Sequence, residues 1–307
     1  MQKDKTISYA KMARNFGLLM NESLKPYTSF KVGGSADLLA MPGTAEELKE
    51  LLRAASEYDI PVTLLGGGTN VLITDKGIRG LVVITTHLKS DIRIIGSSPE
   101  KSLVRVDAGE RLSTICRFAA THSLSGLEFA AGIPGTLGGA IAMNAGTKTG
   151  DMSGIVVDLM VLDTKALTFQ TIERQNLDFS YRDLKVPGII VAATLELKPA
   201  DQMVIEQTFK QNLLLKNTTQ PVSVASAGCF FKNPAKGMPA GELIEKSGLK
   251  GMKLNGAMVS DIHANYIVNI SNATCGDILT LKKHIEETVF NTFKVKLETE
   301  VRVEGES

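Results

Sequence analysis

Residues 130–146 read AAGIPGTLGGAIAMNAG, a segment that holds five glycines and almost no bulky or charged side chain. A second glycine turn, Gly66-Gly67-Gly68-Thr69-Asn70, follows a short predicted strand at 62–65. Glycine lets backbone N–H groups approach a ligand, and consecutive N–H groups on a turn form a concave anion site. For either turn alone, the alternative is a tight loop between strands. Because both segments occur in one chain, we predict that they cradle the phosphates of a flat, extended ligand.

Neither turn matches a common nucleotide fingerprint. The spacing G-x-G-x-x-G is absent from both, and no Gly-Lys dipeptide occurs in the chain. A P-loop is therefore excluded, and the nature of the ligand has to be argued from other residues.

Composition limits the classes of function. The 307 residues suffice for two or three subdomains, and the net charge of +1 lacks the basic footprint of a nucleic-acid-binding protein. No apolar stretch reaches the length of about 18 residues that a transmembrane helix needs, and the N-terminus lacks the apolar core of a secretory signal. Three scattered cysteines, at positions 116, 229 and 275, favour neither a disulfide framework nor a metal site. We predict a cytoplasmic monomer without metal, membrane or nucleic-acid partner.

Hydrophobic periodicity predicts alternating helices and strands. Helices are predicted over 44–58, from 112 onward, over 203–216 and over 275–293, with Thr44 and Glu47 as a capping box and Thr274 as an N-cap. Strands are predicted over 62–65, 81–85, 103–108, 156–163, 167–172, 189–197, 256–260, 266–270 and 297–303. In the last strand, a period of two places Glu300 and Arg302 on one face and Val301 and Val303 on the other.

Seven motifs occur in the order of a known family: residues 28–37, 65–70, 132–139, 143–146, 181–182, 226–234 and 300–302. Together they resemble UDP-N-acetylenolpyruvoylglucosamine reductase, the MurB family, from about Thr28 to the end of the chain. The short interval between Arg182 and Ser226 is similar to the shorter class of that family, which lacks an extra substrate-closing loop.

The resemblance implies an α+β fold. An N-terminal extension, 1–27, would precede a two-part FAD-binding domain of the vanillyl-alcohol oxidase (PCMH) type at 28–199, with subdomains at about 28–86 and 87–199. A C-terminal α/β substrate-binding domain would occupy 200–307.

The resemblance also implies which residues hold FAD. The first turn would contribute Gly66, Gly67, Gly68, Thr69, Asn70, Val71 and Leu72. The second segment would contribute Gly132, Ile133, Pro134, Gly135, Gly138, Gly139, Asn144 and Gly146, and Arg302 would contact the flavin or the substrate.

The family reaction uses NADPH and FAD to reduce an enolpyruvyl ether of UDP-N-acetylglucosamine to UDP-N-acetylmuramate, a peptidoglycan precursor. Hydride goes to C3 of the enolpyruvyl group, and a proton goes to C2. Such a site needs a cation at the substrate carboxylate and a positioned acid near C2.

Three residues match the catalytic positions of the family. Arg182 would bind the enolate oxygens, because its planar fork meets a carboxylate bidentately. Glu300 would assist protonation at C2. By themselves, the residues leave simpler alternatives open: a surface or flavin-contact arginine, and a solvated charged face of an edge strand.

Cys229 is the third catalytic residue and a departure from the family, since many members carry serine at this position. An ordinary thiol, with a pKa of about 8.5, is mostly protonated at neutral pH and is a stronger acid than an alcohol. We therefore predict that Cys229 protonates C2 and that activity falls as pH rises through the thiol pKa. Cys116 is predicted to be a core residue, and the helix dipole at 275 is able to lower the pKa of Cys275.

The resemblance assigns substrate contacts to Tyr181, Lys232, Asn233 and Asn265, with Lys232 opposite the diphosphate; its alternative is a solvated strand lysine. A lone histidine such as His263 is more often structural than catalytic. Lys216 and Asn217 stand where we expect arginines. Two rival functions stay open: another FAD-linked oxidase or dehydrogenase of the same fold, and a non-catalytic nucleotide-binding relative.

Overall fold

The computed structural model describes residues 2–306. Its helices are α1 (Gln2–Phe16), α2 (Ala45–Glu57), α3 (Leu112–Thr121), α4 (Leu137–Ala142), α5 (Gln202–Thr219), α6 (Ala240–Lys246) and α7 (Cys275–Phe293). Its strands are β1 (Leu19–Ser23), β2 (Ser35–Ala40), β3 (Val62–Leu65), β4 (Val71–Ile73), β5 (Ile78–Ile84), β6 (Arg93–Ser97), β7 (Ser102–Asp107), β8 (Leu124–Ser125), β9 (Gly146–Thr147), β10 (Gly150–Asp151), β11 (Val156–Leu162), β12 (Phe169–Glu173), β13 (Asp178–Ser180), β14 (Asp183–Lys185), β15 (Ile189–Pro199), β16 (Ala225–Ser226), β17 (Lys253–Leu254), β18 (Ala257–Val259), β19 (Ile267–Asn269) and β20 (Arg302–Glu304). Mainly antiparallel sheets with separate helices make the fold α+β, as predicted.

The chain forms two compact units, and each combines several segments. Unit 1 comprises Met1–Leu18, Ala40–Gly67 and Val83–Lys216, and unit 2 comprises Leu19–Leu39, Gly68–Val82 and Asn217–Ser307. The sequence predicts contiguous domains that meet at 199/200, whereas these units interleave along the chain. The difference has a physical cause in unit 2, where β4 pairs in parallel with β20 and so joins an early segment to the C-terminal one.

Unit 1 is built on an antiparallel sheet with the strand order β12-β11-β15-β7-β6. The central strand β15 is buried over its first seven residues, which are apolar except for Thr194. Helix α4 packs against β15 and β7, and the Gly138 amide donates to the Ala108 carbonyl at 2.8 Å. This contact holds the glycine-rich segment 130–146 against the sheet.

Unit 2 contains a second antiparallel sheet, in the order β16-β19-β18-β17. Helix α7 packs against β17, β18 and α6 through a buried stripe that consists of Ile278, Leu281, Ile285 and Val289. The rings of Phe30 and Phe230 meet edge to face in the same core, with centroids 6.5 Å apart. The stripe is the one that the helical period predicts.

Most predicted elements are confirmed, including α2, α7 with its Thr274 cap, and the strands of the unit 1 sheet. In the predicted capping box at Thr44, the Glu47 carboxylate accepts from the Gly43 amide at 2.7 Å, one residue before the expected donor. Helices α1 and α4 were not predicted. No helix among residues 2–306 is long and apolar enough to cross a membrane.

The predicted strand over 297–303 is wrong in its length, and Val301 and Val303 do not share one buried face as predicted. Only Arg302–Glu304 forms a strand, and Val303 is 43% exposed. The reason is that the segment changes its backbone partner. The Lys232 amide donates to the Glu298 carbonyl, whereas Arg302 pairs with Val71 of β4. A single two-residue period therefore does not run through the whole segment.

The start of α7 generates a stability prediction. The Asp75 carboxylate accepts from the amides of Cys275 and Gly276 at 2.9 and 3.0 Å. An acidic cap stabilises a helix N-terminus, so Asp75→Ala should lower the free energy of unfolding by about 1 kcal/mol. Urea unfolding followed by circular dichroism measures this change. The exposed-loop variant Asp91→Ala is the control, and equal stability of the two variants would contradict the assignment.

Candidate functional site

The two predicted glycine segments touch each other within unit 1. A Cβ added to Gly67 would lie 2.9 Å from the Gly135 Cα, and one added to Gly66 would lie 2.8 Å from the Thr136 Oγ1. Both distances are too short for a side chain, so only bare backbone fits at this place. The structure thus brings together the two segments that the sequence predicts as one cradle.

Thr136 has a buried hydroxyl beside this contact. Its residue is 1% exposed, and among the described residues its Oγ1 has no hydrogen-bond partner. The hydroxyl also lies 3.5 Å from the position that a Cβ on Gly139 would take. Leaving a buried hydroxyl unsatisfied is costly, whereas a phosphate oxygen would satisfy it. The sequence analysis missed Thr136; its only signal was its position inside the glycine-rich segment.

The C-terminal part of the first turn is held within unit 2. Gly68 has a φ of +62°, and a Cβ there would collide with the Tyr27 carbonyl. The Asn70 side chain donates to the Glu300 carbonyl at 3.1 Å, and the Arg302 amide donates back to the Asn70 carbonyl at 3.1 Å. The turn and the predicted catalytic segment 300–302 are therefore adjacent.

Arg182 lies at the turn of the β13–β14 hairpin in unit 1. Its φ of +59° is uncommon for a residue with a side chain, and such conformations cluster at functional sites. Its guanidinium donates to the carbonyls of Asn144 and Gly146 at 3.4 and 3.0 Å. The guanidinium also lies 5.1 Å from the centre of the half-exposed Tyr181 ring. Arg182 is thus fixed on the glycine-rich segment rather than free on the surface.

Asn144 fixes the hairpin from the other side. Its Nδ2 donates to the Ser180 carbonyl at 3.1 Å, and its Oδ1 accepts from the Ser153 amide at 3.0 Å. The residue is 6% exposed and has a positive φ of 38°. Asn144 therefore positions Arg182 through both backbone and side chain.

Cys229 and Glu300 occur on paired segments of unit 2. The Glu300 amide donates to the Phe230 carbonyl at 2.9 Å, and Phe230 follows Cys229 directly. The hydroxyl of Tyr266 hydrogen-bonds with Cys229, and the charges of Cys229 and Glu300 both act on it. The pKa of Tyr266 is raised, first by burial and then by these neighbours, so the hydroxyl stays protonated. No motif in the sequence marked Tyr266.

The other two thiols are in different surroundings. Burial, with a smaller contribution from the Glu128 charge, raises the pKa of Cys116 to about 12. Burial, followed by the charge of Asp75, raises the pKa of Cys275 to about 11. The predicted lowering by the helix dipole is therefore wrong, because desolvation of the thiolate outweighs it. Cys229 is partly exposed.

Two of the predicted substrate contacts bind the backbone. The Asn265 side chain accepts from the Phe231 amide at 2.9 Å and donates to the Phe231 carbonyl at 2.8 Å, in the manner of a paired strand. Asn233 accepts from the amide of Ala240, where α6 begins, at 3.0 Å. These bonds hold the segment that carries Lys232, so both residues position it. Direct contact of either amide with a substrate stays a prediction.

His263 has a structural role. Its Nδ1 accepts from the Asn265 amide at 3.2 Å, which requires an unprotonated nitrogen. The pKa of His263 is lowered, mainly by burial, in agreement with this arrangement. The ring supports the loop before β19.

Comparisons with known proteins match both parts of the chain. A family described as FAD binding domain matches residues 36–169, and a family described as UDP-N-acetylenolpyruvoylglucosamine reductase, C-terminal domain, matches residues 220–304. The fold and its glycine cradle are thus those of a flavoprotein with an FAD-binding domain followed by a second, reductase-type domain.

Full-length relatives are more specific. The chain is 39% identical over 297 residues to UDP-N-acetylenolpyruvoylglucosamine reductase of Desulfosudis oleivorans, covering 93% of this chain and 94% of the relative. It is 37% identical over 292 residues to the Bacillus subtilis enzyme, with 94% of each chain covered. The crystal structure of MurB from Thermus caldophilus matches with a TM-score of 0.79 and 34% identity, over 93% of this chain and 97% of that one. The chain belongs to the UDP-N-acetylenolpyruvoylglucosamine reductase family, and the predicted resemblance is confirmed.

The contact between the glycine turns generates a binding prediction. Gly67→Ala should weaken FAD binding about tenfold or more, because the new methyl group forces the backbones of the two turns apart. Flavin absorbance per protein after purification and FAD titration of the apoprotein measure this. The control is Gly154→Ala, since a Cβ at Gly154 would have nothing within 4 Å. Full flavin content in Gly67→Ala would contradict the cradle.

Removing the Thr136 hydroxyl should change the stability of the apoprotein and its affinity for FAD in opposite directions. Thr136→Val removes a buried hydroxyl that lacks a partner, so it should stabilise the apoprotein by about 1 kcal/mol. The same change should weaken FAD binding about tenfold if a ligand oxygen satisfies the hydroxyl. Urea unfolding without flavin and FAD titration measure the two effects, with the surface variant Thr121→Val as control. Loss of apoprotein stability with unchanged FAD affinity would refute the role.

Proposed function

We propose that this chain is an NADPH-dependent, FAD-containing reductase that converts the enolpyruvyl ether of UDP-N-acetylglucosamine to UDP-N-acetylmuramate, a step of peptidoglycan precursor synthesis. The observation that carries the proposal is the similarity to reductases of this name along nearly the whole chain, at 39% identity over 93% of its length. The cluster of Cys229, Tyr266 and Glu300 in unit 2 supports it, since the Cys229 thiol provides one acidic proton beside two further polar groups.

The cradle fits FAD. Gly66, Gly67 and Gly135 leave bare backbone for a diphosphate, and the Thr136 hydroxyl offers a donor that lacks a partner among the described residues. We propose that the cofactor is held by the predicted residues 66–72, Gly132, Ile133, Pro134, Gly135, Gly138, Gly139, Asn144, Gly146 and Arg302, to which the structure adds Thr136. Bound there, FAD would supply the hydride chemistry that connects NADPH to C3 of the enolpyruvyl group.

Arg182 suits the substrate carboxylate. Its guanidinium donates to the Asn144 and Gly146 carbonyls, so the cation is held in a fixed orientation. Negative charge grows on the carboxylate as C3 accepts hydride. A fixed cation lowers the energy of that charge most in a site that excludes water.

Cys229 is the proposed acid for C2. Its S–H bond breaks as the C2–H bond forms from the electron pair of the enolate, and the sulfur keeps the other pair as a thiolate. Glu300, on the neighbouring segment, assists this transfer. Lys232 supplies positive charge for the substrate diphosphate, and Tyr181 contributes a contact from the hairpin turn.

Half-reactions separate this proposal from its rivals. Under anaerobic conditions, NADPH should bleach the flavin of the purified protein, and the enolpyruvyl sugar nucleotide should restore its colour. Bleaching without recolouring would indicate another FAD-linked dehydrogenase of the same fold. Absence of flavin would indicate a non-catalytic relative, for which the departures at Lys216, Asn217 and Cys229 would be the cause. The cytoplasmic location and the monomeric state stay predictions.

Cys229 generates a prediction on pH dependence. The thiol is active as an acid only while protonated, so the rate of flavin reoxidation by substrate should fall as pH rises and the thiol ionises. Cys229→Ser should lose this alkaline limb, because a serine hydroxyl does not ionise in that range. Stopped-flow absorbance measures the rate across the titration range.

The flavin-reduction half-reaction with NADPH serves as an internal control, since it does not use Cys229. Cys116→Ala is the matched cysteine variant and should keep the alkaline limb. Persistence of the limb in Cys229→Ser would exclude Cys229 as the acid.

A further inference from the structure

Tyr266 is held rigidly in the loop that leads into β19. Its amide donates to the His263 carbonyl at 3.0 Å, and its carbonyl accepts from the Ser260 amide at 2.8 Å. Its ring meets the His263 ring edge to face, with centroids 5.2 Å apart, and the residue is 8% exposed. The phenol therefore has one fixed direction.

The Tyr266 hydroxyl faces polar groups from three other segments. It donates to the Gln220 Oε1 at 2.8 Å, it hydrogen-bonds with the Cys229 thiol, and it feels the charge of Glu300. The ionisable groups around the ring are thus Cys229, Glu300 and His263, and the last is neutral because its Nδ1 is an acceptor. A phenol has one proton to donate and lone pairs to accept with. Gln220 and Cys229 therefore compete for that single proton.

We propose that Tyr266 is a positioning residue for Cys229: its hydroxyl donates to Gln220 while Cys229 is a thiol, and turns to donate to the sulfur when Cys229 becomes a thiolate. The catalytic meaning of this switch rests on the proposed function, because that function makes Cys229 the acid for C2. The hydrogen bond itself does not depend on it.

The surroundings make Tyr266 a donor and not a base. Burial raises its pKa, and the charges of Cys229 and Glu300 raise it further, so the proton stays on the phenol at neutral pH. A hydrogen bond that holds the proton on the phenol also favours the negative sulfur, since the two effects are the same interaction. Tyr266 thus places a neutral donor beside two groups that are both anionic after proton transfer.

The switch fits the proton balance of the reaction. When C2 takes the proton of Cys229, the electron pair of the S–H bond remains on sulfur, and the new thiolate needs a donor. Tyr266 supplies a hydrogen bond without losing its own proton. A proton from solvent then restores the thiol, and the hydroxyl returns to Gln220.

Alkylation of Cys229 tests the switch without any substrate. Only the thiolate reacts with iodoacetamide, so the rate against pH reports how easily the thiol ionises. Mass spectrometry of the FAD-bound enzyme follows the peptide that carries Cys229, with the peptides of Cys116 and Cys275 as references. Tyr266→Phe should move the midpoint upward by about one pH unit, which is about tenfold slower alkylation below it. The control Tyr58→Phe removes a hydroxyl at the end of α2 and should leave the midpoint in place.

A second variant gives the opposite sign. Gln220→Leu removes the competing acceptor, so the hydroxyl should serve the sulfur more often and the alkylation midpoint should move downward. This variant keeps the Tyr266 ring and decides the matter even if Tyr266→Phe fails to fold. An unchanged midpoint in Gln220→Leu, or in a folded Tyr266→Phe, would overturn the proposal.

Kinetics separate this inference from the proposed function. In Tyr266→Phe, the alkaline limb of flavin reoxidation should move upward together with the alkylation midpoint, while flavin reduction by NADPH is unchanged. An alkylation shift in an enzyme that does not reduce the enolpyruvyl sugar would sink the proposed function and leave the Tyr266 switch intact. If the enzyme reduces the enolpyruvyl sugar normally but Tyr266→Phe leaves the alkylation midpoint unchanged, the Tyr266 switch is refuted and the proposed function stands.

Discussion

Backbone pairing of the C-terminal segment holds unit 2 together, with the proposed catalytic residues Cys229 and Glu300. Glu300 and its neighbours bond to the segment after Cys229, and two residues later Arg302 pairs with Val71 at the end of a glycine turn. The change of partner occurs between residues 300 and 302, so the segment links two parts of unit 2 that lie far apart along the chain. The side chains of Cys229 and Glu300 therefore project from hydrogen-bonded backbone, so little backbone entropy is left to lose if a ligand binds there.

The proposed cofactor cradle of unit 1 depends on the absence of side chains. Gly67 and Gly135 approach so closely that no Cβ fits between them, and the Thr136 hydroxyl lies beside this contact. A buried hydroxyl without a partner is unfavourable in the free protein, but it provides a donor that is already in position. The cradle thus trades some stability for binding, as is common at functional sites.

Several motif residues act on the protein itself. Asn265 uses the oxygen and the nitrogen of its side-chain amide to bind the Phe231 backbone. Asn144 ties the Arg182 hairpin to the glycine-rich segment. A buried side-chain amide can satisfy backbone groups that would otherwise need a neighbouring strand. This structural role explains why uncharged residues such as these occur in the motifs. These bonds fix the backbone that carries Lys232 and Arg182.

The sequence by itself determined the family, the two glycine turns, the main helices and the identities of Arg182, Cys229 and Glu300. These features are encoded locally, in short motifs and in the period of apolar residues. Only the tertiary structure decided that the Thr136 hydroxyl has no hydrogen-bond partner among residues 2–306 and that Asn265 bonds to Phe231. It also decided that Val303 is exposed and that Tyr266 lies beside Cys229. Burial and hydrogen bonding arise between segments distant along the chain, so no local pattern contains them.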